Sequence, residues 1–214
     1  MTSKSAQRSF ATATCIIAWA GTILQYYLVL RNAPANNHTT LVATSVFLGY
    51  FTVLTNLLVA ICLTFYLFSQ GRWHRFFSRF SVQTAITVYI FIVGLGYNLL
   101  LRHLYHMKGL QSVANEIQHV IVPVLFTLYW IICVTKQRIH WNNMIPWMIY
   151  PFLYLVMALI RGSMDGFYPY PFLNASELGF NTVLMNSVGL FLIFIVISSL
   201  FIFISRKKGI LIRS

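Results

Sequence analysis

Six stretches of this chain run apolar for about twenty residues each, the length of helix that crosses a bilayer core. They lie at roughly 9–30, 41–69, 82–101, 113–134, 144–160 and 181–204, and Glu116 is the one charged residue inside them. Within hydrocarbon no water satisfies exposed backbone groups, so such a run is held to a helix whose hydrogen bonds close inside the segment. The run 41–69 is longer than the core requires, an excess that tilt would absorb. The run 144–160 is the shortest and holds Pro146 and Pro151, with no charge before Arg161. The first run exceeds the 7–15 apolar residues of a signal peptide, so it is read as a retained span. No repeat and no linker divides the sequence. Residues 1–214 are therefore expected to form a single all-α, polytopic membrane domain with six transmembrane helices.

Composition agrees with a lipid solvent. The chain is 58% hydrophobic and 8% charged, where soluble domains carry about 25% charged residues. Fifteen Lys and Arg stand against three acids, Glu116, Asp165 and Glu177, for a formal charge of +12. The placement of that excess decides its meaning. Lys4, Arg8, Arg72, Arg75, Arg79, Lys136, Arg138, Arg206, Lys207, Lys208 and Arg213 fall in the termini and the even-numbered loops, while Arg31, Arg102, Lys108 and Arg161 fall in the others. The positive-inside rule then makes both termini cytoplasmic. The basic excess is a topology signal, and no nucleic-acid partner is expected. Arg72-Trp73-His74-Arg75-Phe76-Phe77-Ser78-Arg79-Phe80 alternates basic and aromatic residues, as a segment lying on an anionic leaflet does. Cys15, Cys62 and Cys133 fall inside spans and read as small buried residues.

Polar side chains inside a membrane are costly and face a bundle interior or a cavity. Thr52, Thr55 and Asn56 share one helical face by their spacing. Gln111, Asn115, His119 and Pro123 form a second stripe, and Gly94, Asn98 and Arg102 a third. Tyr150, Tyr154, Met157 and Arg161 mark the fifth span, and Thr182, Asn186 and Gly189 the sixth. At the rise of a helix, His119 lies roughly 9 Å below the outer boundary, Asn186 roughly 8 Å, Asn98 roughly 5 Å and Thr52 roughly 16 Å. The polar groups thus gather in the outer half, as in a pocket opening outward; a pore would be polar along its whole length.

Three carboxylates cannot make several metal sites, and they leave little for a carboxylate proton relay. His103 and His106 have no evident third ligand, so no metal and no cofactor is expected. There is no GxSxG elbow, HExxH pair or glycine-rich phosphate loop. A hydroxyl nucleophile with a histidine base fits what remains. Thr52 would attack an ester carbonyl, and His119 would take its proton and return it to the leaving alcohol. Asn56, Asn98 or Asn186 would orient the imidazole or stabilise an oxyanion. Asn115, four residues before His119, is a further orienter. Hydroxyls and amides of this kind also serve as interhelical ties, a role that fits Thr55 and Asn186 well. Arg161 is equally suited to anchor a helix end at the interface.

These residues carry a resemblance. Tyr50-Phe51-Thr52 with Thr55-Asn56-Leu57-Leu58, Asn115-x-x-x-His119-x-x-x-Pro123 with Trp130, Arg161-Gly162, Tyr168-Pro169-Tyr170-Pro171-Phe172-Leu173 and Thr182-Val183-Leu184-Met185-Asn186 occur in this order. The chain resembles the androgen-induced-gene-1-like integral membrane proteins, and among them the bacterial six-helix relatives. The resemblance implies an intramembrane threonine hydrolase of fatty acid esters of hydroxy fatty acids, with Thr52 as nucleophile and His119 as its partner. Thr55, one turn further on, is the alternative hydroxyl. Arg161 joins the pocket residues, and the partners are the bilayer and a membrane lipid or lipid ester. The location so implied is a bacterial inner membrane. Phe167, Tyr168 and Tyr170 suit an aromatic belt at the pocket mouth, with the intervening prolines stiffening a lid. Two other functions use the same residues: a transporter or lipid-binding protein with this polar pocket, and an acyltransferase with the same Thr–His pair.

Overall fold

The computed structural model describes residues 3–104, 106–135 and 137–211. Among them every regular element is helical. Six helical stretches are long and apolar enough to cross a membrane: Lys4–Asn32, Phe51–Phe68, Phe80–Leu104, Leu110–Ile132, Trp141–Asp165 and Phe180–Arg206. The described residues are all-α, and the six apolar helices are compatible with a multi-pass integral membrane protein. By its internal contacts the chain falls into two compact units, Met1–Thr135 and Lys136–Ser214.

The first unit opens with α1 (Lys4–Asn32), whose N-cap Ser3 accepts a hydrogen bond from the Ala6 amide at 3.1 Å. The expected single helix over 41–69 is instead two, α2 (Thr40–Leu48) and α3 (Phe51–Phe68). Gly49 ends the first, and Tyr50 is extended at φ −91° and ψ 129°. A continuous helix over that run would be roughly 43 Å long against a core of about 30 Å. A break, not a tilt, removes the excess. It also changes the position of Thr52, which lies in the first turn of α3 and not deep in a long helix.

After α4 (Gly71–Phe77) comes α5 (Phe80–Gly96), which continues through a π turn at Tyr97–Leu101 and a 3-10 turn at Arg102–Leu104. The fourth span is also composite: α6 (Leu110–Glu116), a π turn at Ile117–Ile121 and α7 (Val122–Ile132). In this unit α1 packs on α3, α3 on α5, α5 on α7, and α7 back on α1. The ring is closed by side chains that satisfy one another across helices. Trp130 Nε1 donates to Thr84 Oγ1 at 2.9 Å, Trp19 Nε1 to Thr64 Oγ1 at 3.0 Å, and Gln111 Nε2 to Gln25 Oε1 at 3.0 Å. Such pairing offsets the cost of polar atoms in an apolar interior. Cys15 and Cys62 are buried thiols.

The two ends of the ring differ. Arg8 Nη2 donates to the Leu67 carbonyl at 3.2 Å, tying the start of α1 to the end of α3. Phe65 stacks on Trp73 and Phe77 of α4 beside it, at 5.6 and 5.3 Å. Lys4, Arg8, Arg72 and Arg75 thus share one end of this unit. Both π turns lie towards the other end. Of the remaining basic residues, Lys136 and Arg213 lie outside the described residues, as do the side chains of Lys207 and Lys208.

In the second unit α8 (Met144–Asp165) stops at Gly166, whose φ of 76° is the left-handed conformation that glycine takes without strain. The Tyr168 ring lies on Gly162, where a Cβ would run into the ring. Asn174 caps α9 (Ala175–Leu178) by accepting from the Ser176 amide at 3.2 Å, and α10 (Phe180–Leu211) comes next. The expected extended lid is a folded connection. Tyr168 is seated on α8, and residues Pro171–Leu173 form a 3-10 turn. Ile145, Ile149, Phe152 and Leu153 leave a broad apolar face of α8 exposed.

Candidate functional site

The site is built around a repaired helix. Pro123 has no N–H, so the carbonyl of His119, four residues earlier, loses its α-helical partner. Asn98 replaces it: its Nδ2 donates to the His119 carbonyl at 3.3 Å and to the Gly94 carbonyl at 2.8 Å. Gly94 lets the two helices approach, since a Cβ there would stand 2.9 Å from Pro123 Cβ and 3.3 Å from the His119 carbonyl oxygen. Arg102 Nη1 donates to Asn98 Oδ1 at 2.8 Å, and Arg102 pairs with Glu116.

The π turn at Ile117–Ile121 shifts the backbone ladder from i+4 towards i+5 partners. His119 uses the altered turn. Its Nδ1 lies 3.0 Å from the Asn115 carbonyl oxygen. A carbonyl only accepts, so Nδ1 carries the proton and Nε2 is the basic nitrogen of the neutral ring. The imidazole is stacked on Tyr97, with ring centroids 4.1 Å apart and planes at 27°. Asn115 Nδ2 donates to Tyr97 Oη at 2.6 Å, locking that ring in turn. One residue thus orients His119 twice, through its main chain directly and through its side chain by way of Tyr97.

The first turn of α3 approaches the same π turn. Asn56 Nδ2 donates to the Thr52 carbonyl at 2.9 Å and to the Gln118 carbonyl at 3.1 Å. Those two oxygens therefore lie within about 6 Å of each other, spanned by one amide nitrogen. Thr52, Thr55, Asn56, Asn115 and Gln118 are all buried. A cavity of about 420 Å3 opens beside this cluster, lined by Tyr97, Arg102, His106, Met107, Lys108, Ser112, Asn115 and Glu116. Tyr97 and Asn115, which hold the imidazole, are among its lining residues.

Six of the residues expected at the site, Thr52, Thr55, Asn56, Asn98, Asn115 and His119, belong to the first unit. Asn56, Asn98 and Asn115 are joined by named hydrogen bonds to the turns that carry Thr52 and His119. Arg161 and Asn186 belong to the second unit. Arg161 Nε pairs with Asp165 at 3.1 Å, and its guanidinium lies 4.3 Å from the centroid of Phe167. Asn186 Nδ2 donates to the Phe172 carbonyl at 2.9 Å. Both are engaged in shaping the connection between α8 and α10. Sequence reasoning missed Tyr97 and Gln118. Tyr97 and Asn98 open the π turn at Tyr97–Leu101 and both reach His119, Tyr97 by stacking on its ring and Asn98 by donating to its carbonyl.

His103 is exposed and His106 lines the cavity. Among the described residues no three His, Cys, Asp or Glu side chains are grouped to hold a metal ion. The chain matches no protein-family model, no curated protein and no solved structure.

Proposed function

We propose that the protein is an intramembrane lipid-ester hydrolase in which Thr52 is the nucleophile and His119 the general base. One observation carries it: His119 is held with Nδ1–H on the Asn115 carbonyl, which leaves Nε2 basic, in a turn that Asn56 links to the turn of Thr52. Thr52 Oγ forms a bond to the ester carbon while its proton passes to Nε2. The tetrahedral adduct collapses, the C–O bond to the alcohol breaks, and Nε2 returns the proton to the leaving oxygen. Water then attacks the acyl-threonine, with Nε2 taking its proton and giving it back to Thr52 Oγ. The adjoining cavity supplies that water and a polar mouth; the apolar helices supply room for acyl chains.

The motif resemblance makes esters of hydroxy fatty acids the substrate class to test first, and a bacterial inner membrane with both termini cytoplasmic the setting. Membership of the androgen-induced-gene-1-like family belongs to the same proposal. Purified protein should hydrolyse a branched fatty acid ester. Thr52→Ala and His119→Ala should each slow it by about 100-fold or more, while Thr55→Ala should not. A fluorophosphonate probe should label the wild type and Thr55→Ala but not Thr52→Ala. Equal turnover by all four proteins would sink the assignment.

A further inference from the structure

An ester hydrolase needs a donor for the oxyanion, and the amides that sequence spacing suggests are engaged elsewhere. Both N–H groups of Asn56 are directed at the Thr52 and Gln118 carbonyls, and both of Asn98 at the Gly94 and His119 carbonyls. Asn186 donates to the Phe172 carbonyl. Gln118 is different. It is 3% exposed, and its Nε2 is buried with no hydrogen-bond partner among the described residues. It sits immediately before His119, and its carbonyl is joined through Asn56 to the Thr52 turn. Its Cγ lies 3.9 Å from where a Cβ of Gly21 would stand, so the side chain is enclosed where α1, α3 and the π turn meet. Asn56 Oδ1, across the same contact, is also buried without a partner among the described residues. A buried donor without an acceptor is destabilising, so each one calls for an explanation, a catalytic role among them.

Resting on the Thr52–His119 reading, we infer that Gln118 is a catalytic residue whose Nε2–H donates to the oxyanion. As Thr52 Oγ bonds to the ester carbon, the carbonyl π pair moves onto oxygen, and the amide hydrogen stabilises that charge without transferring. When the adduct collapses the pair returns and the alcohol leaves with the proton from His119. The donor is satisfied only in the reacting state, the condition under which binding raises kcat.

The test uses the full chain in micelles with a branched fatty acid ester. Gln118→Met keeps the length of the side chain and removes the donor. kcat should fall by about 100- to 1000-fold, with KM within about threefold, and Tm should equal or exceed that of the wild type. A structural role would lower Tm and leave the kcat of folded protein intact. Gln118→Leu repeats the test with a stiffer side chain. If Gln118→Met turns over within about threefold of wild type while Thr52→Ala is inactive, the inference fails and the Thr–His reading stands. If wild-type turnover does not depend on Thr52, both fail. If neither Gln118 variant folds, the amide is structural and the inference is overturned.

Discussion

Gly94→Ala tests the contact that holds His119 in place. A Cβ at Gly94 would stand 2.9 Å from Pro123 Cβ, 3.4 Å from Pro123 Cγ and 3.3 Å from the His119 carbonyl oxygen. Carbon atoms in contact sit about 3.5–4.0 Å apart, so α5 and α7 must separate by roughly 0.6 Å or more. Neither neighbour can swing aside: one is a ring fused to its backbone and the other is backbone. Alanine gains about 1 kcal/mol over glycine in a helix, and overpacking costs about 1–3 kcal/mol. The clash therefore wins by about 1 kcal/mol. The same separation stretches the Asn98–His119 bond, already 3.3 Å long, beyond useful hydrogen-bond length.

Gly96→Ala is the internal control. It lies two residues away in α5, and nothing stands within 4 Å of its Cβ, so it should gain about 0.5–1 kcal/mol. For a chain of this size 1 kcal/mol moves Tm by about 2–4 °C. Thermal unfolding in micelles should place Gly96→Ala above the wild type and Gly94→Ala below it, about 4–8 °C apart. Ester turnover should fall in Gly94→Ala alone. A Tm for Gly94→Ala at or above that of Gly96→Ala would refute the close approach of Pro123.

The same hydrogen bonds lead to two more expected outcomes. Asn98→Leu should cost about 1 kcal/mol in the wild type and clearly less in a Pro123→Ala background, where a backbone N–H again serves the His119 carbonyl; additive costs in a double-mutant unfolding cycle would refute the substitution of one donor for the other. Asn115→Ala removes the tie to Tyr97 but keeps the carbonyl that fixes the tautomer, so its kcat/KM loss should stay within about tenfold, far from that of His119→Ala; equal losses would show that the side chain, not the main chain, is decisive.

The six long helices were legible because length and hydropathy together mark an apolar run of about twenty residues as a helix. Of the stripe from Gln111 to Pro123, the i, i+4 spacing holds as a regular helix only for Gln111 and Asn115 in α6, since the π turn at Ile117–Ile121 interrupts it before Pro123. Legibility stopped where the ladder changes. A π turn adds a residue to one turn and rotates the side chains within and beyond it, so the directions of Gln118 and His119 cannot be had from a 100° step. The break at Gly49–Tyr50 was hidden because both neighbouring segments are apolar. The role of Asn98 could be read in part from sequence: a proline inside a span always leaves one carbonyl to be served, here that of His119. Which amide serves it depends on the neighbouring helix, and so on the fold.

The scarcity of acids bears on how such a site would divide its labour. Glu116 pairs with Arg102, Asp165 accepts from Arg161 and from the Phe167 amide, and Glu177 is exposed in the first turn of α9. At Nδ1 of His119 the partner is a peptide carbonyl, where a serine hydrolase has a carboxylate. A carbonyl orients the ring and fixes its tautomer as well as a carboxylate does. It carries no full charge, so it stabilises the imidazolium less once the proton has moved. A hydrolase built this way gains less from its base and has to draw more of its rate from the oxyanion donor. In the proposed hydrolase that need would fall on the side chain next to the histidine, the Gln118 amide, which is buried and has no partner among the described residues.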